Sequence, residues 1–159
     1  MEKNLISTLV NKFNTLGFKQ VDLKNLDMRD CLLIMKKQTL NINRAIALIQ
    51  TEAVPEDFSK FLKDWRLRIT KRVGFLPFFY VLGLQIVIIC ETSIDDTVDL
   101  SKYVDKVDNQ WSIIQSIYLI STSGNFFTHA RTWAQFVTGK YQNAIVECLS
   151  QFYVDRRAF

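Results

Sequence analysis

The sequence predicts an α/β fold: a mixed sheet with an antiparallel hairpin and helix-linked strands, in the order α-β-β-β-α-β-α-β-α, with helices covering the sheet. Three observations carry this expectation. The apolar runs "CLLIMKK" and "RAIALIQT" stand either side of a polar "QTLNIN", which is the pattern of two strands and a hairpin loop. "LGLQIVIIC" is apolar without alternation, as a strand covered on both faces must be. Stripes of apolar residues at helical spacing lie between these runs and supply the covering layers.

The elements follow in order. Leu5, Ile6, Leu9, Val10, Phe13 and Leu16 recur at helical spacing, and Gly17 stands where a left-handed cap would end the helix. "FKQVDL" reads as a short first strand, and the hairpin supplies the second and third. Beyond "TEAVPED", with Pro55 suited to a first helical turn, Phe58, Phe61, Leu62, Trp65 and Ile69 form the stripe of a second helix ending near Arg72. "ETSIDDTVDLSKYVDKVDNQ" carries six acids against two lysines, so it reads as a solvated loop with a short helix over Leu100 to Val107. "WSIIQSIYLIS" is strand-like, "STSGN" breaks it, and "FFTHARTWAQFVTGKYQNAIVECLSQFYV" reads as helix to the end, kinked or divided at Gly139.

The uncharged run from Val73 to Cys90, "VGFLPFFYVLGLQIVIIC", is eighteen residues, and a membrane helix needs about 20. Pro77 and Gly83 interrupt it, and Ile86, Val87, Ile88 and Ile89 form a β-branched block. The central strand is therefore the stronger reading, with "FLPFFY" as the loop that enters it. Ile86 and Ile88 should then face one layer of helices, and Val87 and Ile89 the other.

A chain of 159 residues with 5 Gly, 2 Pro and no low-complexity tract reads as one α/β domain over 1–159, because no linker is visible. Net charge is +4, a mild bias that permits an acidic partner without requiring one. Cys31, Cys90 and Cys148 sit far apart in apolar runs and read as reduced core thiols of a cytoplasmic protein. The opening residues are too polar and too evenly patterned for a secretory signal.

Candidate chemistry is sparse. His129 is the single histidine, which removes a two-histidine metal site, and it reads as a helix-surface or helix-start residue. Cys90 with His129 would form a thiolate pair only if something activated the thiol, and nothing local does. Asp95, Asp96 and Asp99 lack the glycine and final glutamate of a calcium loop. No glycine-rich phosphate loop is present. No cofactor and no catalytic or metal-ligating set is expected.

Positive charge concentrates on the second helix. Lys60, Lys63, Arg66, Arg68, Lys71 and Arg72 stand within thirteen residues, beside Trp65, and form the candidate binding surface. The plainer explanation is a solvated outer face with Trp65 packed inward. Arg131, Trp133, Lys140 and Tyr141 are a similar mix, for which a packed helix accounts for the aromatics.

The order of the first six elements, a helix, three strands, a helix and a strand, over about Lys3 to Glu91, resembles the PD-(D/E)xK nucleases, the restriction-endonuclease-like scaffold. The resemblance implies an aspartate opening the second strand, and an acid and a lysine two residues apart on the third, holding magnesium. Asp30 stands before "CLLIM" where that aspartate would fall. The equivalent pair on "RAIALIQTE" is Leu48 and Gln50, so the acid is gone and an amide replaces the lysine. Glu52 lies two residues on, without a lysine.

Together these features predict a soluble, non-enzymatic accessory or regulatory protein that acts through contacts with another protein. The alternative is a nucleic-acid-binding domain on an inactive scaffold of this type, using the basic second helix. A third reading makes Asp30 and Glu52 migrated carboxylates of a hydrolase.

Overall fold

The computed structural model describes residues 2–24, 28–39, 42–73, 81–94, 98–105, 112–133 and 135–156. Helix α1 (Glu2–Thr15) leads into β1 (Lys19–Gln20), β2 (Cys31–Gln38) and β3 (Ile42–Thr51). Helix α2 (Phe58–Val73) then precedes β4 (Val81–Cys90), a 3-10 turn (Ser101–Tyr103), β5 (Ser112–Ser121) and β6 (Phe126–Arg131). Helix α3 (Gln135–Leu149) and β7 (Val154–Asp155) follow. All seven strands form one sheet in sequence order. The β1–β2, β2–β3 and β5–β6 pairs are antiparallel; β3–β4, β4–β5 and β6–β7 are parallel. Each parallel pair needs a long connection, and each connection covers a face.

The expected mixed α/β sheet is therefore the observed one, with two further strands. Strand β4 sits at its centre, and its side chains alternate as the uncharged sequence requires. Ile86 and Ile88 join the layer made by Phe58, Leu62, Trp65 and Ile69 of α2. Val87 and Ile89 join the opposite layer, made by Leu5, Leu9 and Phe13 of α1 with Ile145 and Leu149 of α3. No helix among the described residues is long and apolar enough to cross a membrane. "FLPFFY" lies outside the described residues.

Local signals at the helix ends were legible. Gly17 has φ +82°, Phe18 N–H donates to the Phe13 carbonyl at 3.0 Å, and Gly17 N–H donates to Asn14 at 3.0 Å, which is a Schellman cap. At α2, Asp57 Oδ1 accepts from Lys60 N–H at 2.9 Å, so Asp57 caps the helix and Pro55 falls before it rather than in its first turn.

The C-terminal third differs from the helical expectation. "FFTHAR" is strand β6, paired with β5 through a turn at residues 122–125 in which Asn125 takes φ 53°. Phe126 packs into the α2 layer and Phe127 into the other, so its residues alternate across a sheet. Helix α3 starts only at Gln135, and it runs through Gly139 without being divided there. His129 is consequently a strand residue, 8% exposed. Its ring stacks on Tyr118 at 5.6 Å between centroids, and Nδ1 lies 3.6 Å from Asp155 Oδ1 of β7.

The acidic connection is less solvated than its charge suggests. Ile94, Leu100 and Val104 are buried in the α2 layer, and regular structure among its described residues is limited to the 3-10 turn. These described residues extend the layer that α2 forms on that face of the sheet. Asp95 and Asp96 lie outside the described residues. Asp99 is exposed and accepts hydrogen bonds from the Ser101 N–H and hydroxyl at 3.0 and 2.6 Å.

The three cysteines are free and buried. Burial pushes the Cys31 thiol up to about 12, partly offset by its contact with the Leu33 carbonyl, and pushes Cys90 up to about 11. The buried Tyr118 phenol is likewise raised to about 12. A raised acid favours its neutral form in the fold. Its contribution is present in full below the unfolded values of 9.0 and 10.0 and is lost as pH rises through the folded ones. The urea midpoint should therefore fall progressively between about pH 9 and pH 12. A midpoint that stays level across that window would contradict the burial of these groups.

Candidate functional site

The positions a nuclease would use come first. Leu48 is fully buried, between Leu33 of β2 and Val87 of β4 on the α1/α3 face. Gln50, two residues on, donates from Nε2 to Glu91 Oε1 at 3.2 Å, and its backbone N–H donates to the Asp30 carbonyl at 2.8 Å. Asp30 and Glu52 are exposed at the same end of the sheet. Among the described residues no group of three or more His, Cys, Asp or Glu side chains is placed to hold a metal ion. Cys90 is buried with its thiol held neutral, which leaves no reason to join it to His129 as a nucleophilic pair.

The six basic residues of α2 do not form one surface. Lys60, Lys63, Arg68 and Lys71 are exposed. Arg66 is only 3% exposed, because it lies one turn from both Leu62 and Ile69 on the inward side. Arg72 is half-buried and donates from Nε to the Asp22 carbonyl at 2.7 Å. Trp65 packs inward, and the Arg68 guanidinium sits over its ring at 5.1 Å. The binding surface predicted on this helix is thus reduced to four cations.

A second basic group forms where the sequence offered no motif. Lys37 and Arg44 are partners across the β2–β3 pair, and both reach Tyr141 of α3. Lys37 Nζ lies 5.7 Å, Arg44 Cζ 5.2 Å and Lys140 Nζ 4.9 Å from the Tyr141 ring centroid. Lys37 also donates to the Leu16 carbonyl at 2.6 Å, beyond the last turn of α1. Burial alone would raise the Tyr141 phenol. A hydrogen bond from Lys140 and the charges of Lys37, Arg44 and Lys140 outweigh it, so the phenol titrates below the usual tyrosine value.

Beneath α3 this group continues into a polar floor. Arg44 stands beside Gly83 in register, and the Gln115 amide lies over that glycine: a Cβ there would come within 2.4 Å of Gln115 Oε1. The β4–β5 register shifts at this point, which leaves Gln115 without a partner on β4. Gln85 follows on the same face, and Gln142 of α3 donates from Nε2 to the Gln115 carbonyl at 3.1 Å. Gln85 was visible as the one strongly polar residue of the long apolar run; Lys37 and Arg44 read only as strand ends. Of the mix at 131–141, Tyr141 is packed as expected, whereas Trp133 precedes the helix and is 80% exposed.

No family model, no curated protein and no solved structure matches this chain.

Proposed function

We propose that this chain is a non-enzymatic accessory module, on a degenerate restriction-endonuclease-like scaffold, that acts by binding another protein. One observation carries the reading: the positions for an acid and a lysine hold Leu48, closed into the core, and Gln50, whose amide engages Glu91. A scaffold filled in this way retains surfaces rather than a reaction centre. Light scattering combined with affinity capture tests it: a defined complex with a protein partner is expected, and a strictly monomeric chain with no recoverable partner opposes it.

Nucleic-acid binding is the second reading, favoured by the four α2 cations that stay in solvent, Lys60, Lys63, Arg68 and Lys71. Four phosphate contacts imply that duplex affinity falls about a hundredfold between about 50 and 200 mM salt. Replacing all four by glutamine should remove both binding and its salt dependence. Absence of binding at the lower salt would reject this reading.

A further inference from the structure

The polar floor under α3 leaves groups unanswered within the described residues. Arg44 is 8% exposed, and its Nε has no acceptor. Gln85 Oε1, Gln115 Oε1 and Gln142 Oε1 are buried and have no donor. Each such group forfeits about 1–3 kcal/mol relative to water. These four share one end of one layer: Arg44 beside Gly83, Gln115 over Gly83, Gln85 one pleat further and Gln142 bonded to the Gln115 backbone. Three like charges, Lys37, Arg44 and Lys140, meet there around one ring, and none of them is paired with a carboxylate among the described residues.

We propose that this end of the α1/α3 layer binds a small phosphate monoester, with Arg44, Lys37 and Lys140 holding the phosphate beside Tyr141 and the three glutamine carbonyls accepting from hydroxyl or N–H donors of its organic part. Charge selects the phosphate. A monoester carries about −1.5 to −2 at pH 7 with three acceptor oxygens, which three cations and a phenol can satisfy; a carboxylate leaves about two charges unanswered. Water could hydrogen-bond to the amides and to the cations, but it would leave the three positive charges without a counter-charge. Convergence on a single ring separates the site from the α2 stripe, which runs along a helix and suits successive phosphates of a polymer. The lowered Tyr141 phenol reports the same excess of positive potential.

Titration calorimetry on the full chain with ribose 5-phosphate, inorganic phosphate and ribose tests the assignment. Ribose 5-phosphate should bind, inorganic phosphate should bind more weakly, and ribose should give no signal. Arg44→Met and Lys140→Met should each weaken ribose 5-phosphate binding by about tenfold or more, with an unchanged far-UV spectrum. Glutamine at Lys60, Lys63, Arg68 and Lys71 should leave it unchanged, so this result is independent of either reading of the surface. If Arg44→Met does not fold, Lys140→Met decides, because Lys140 is exposed. No heat from either phosphate probe at millimolar concentration, or full affinity in the variants, would overturn the proposal. Equal affinity for ribose 5-phosphate and inorganic phosphate would overturn the role given to the glutamines.

Discussion

A chain carrying Leu48→Glu and Gln50→Lys is expected to lose its fold and not to gain cleavage. The pair would restore the acid and lysine of the scaffold proposed for this chain, yet Leu48 lies fully buried with Leu33, Val87 and the helices α1 and α3 around it. A carboxylate placed there has no partner, and an unpaired buried charge costs several kcal/mol after relaxation. The leucine contacts it replaces are worth about another 2–3 kcal/mol. Against a typical total of about 5–15 kcal/mol, the two losses together leave little or no net stability. Gln50→Lys alone should fold, since Gln50 is part-exposed and Glu91 can receive the ammonium, a surface pair worth about 0–1 kcal/mol. Thermal melts of the two variants, with a magnesium-dependent plasmid assay, give the answer. A folded double variant that nicks DNA would show that Leu48 lines a reaction centre after all.

Leu48 also marks how far sequence reading reached. The alternation of β4 was legible because a β-branched block admits one conformation and an uncharged one must be covered twice. The cap at Gly17 was legible because its residues are neighbours in the chain. "FFTHAR" was not, since six residues with apolar pairs fit helix and strand periods equally, and only pairing with β5 decides between them. Arg66 was grouped with the surface cations by proximity in sequence, while the helical turn places it inward with Leu62 and Ile69. The cluster around Tyr141 could not be read at all. It depends on the β2–β3 register, which sets Lys37 beside Arg44, and on docking of a helix far along the chain. Contacts made by topology leave no spacing to find.

Ile88→Ala and Ile89→Ala should each cost about 2–5 kcal/mol, measured as a lower urea midpoint at unchanged slope. Both side chains are fully buried, but against different layers. Ile88 lies between Ile49 and Leu119 and faces α2; Ile89 lies between Gln50 and Ile120 and faces α1 and α3. Val154→Ala at the sheet edge, where the residue is 52% exposed, should change stability by no more than about 0.5 kcal/mol. A strand covered on one face would make one of the two isoleucines behave like Val154. A lipid-embedded helix would show no cooperative urea transition to shift, because urea acts by solvating surface that unfolding exposes to water. Two large, similar losses from adjacent residues are the signature of a strand with helices on both sides, and that arrangement is what turns an uncharged run into the centre of this fold.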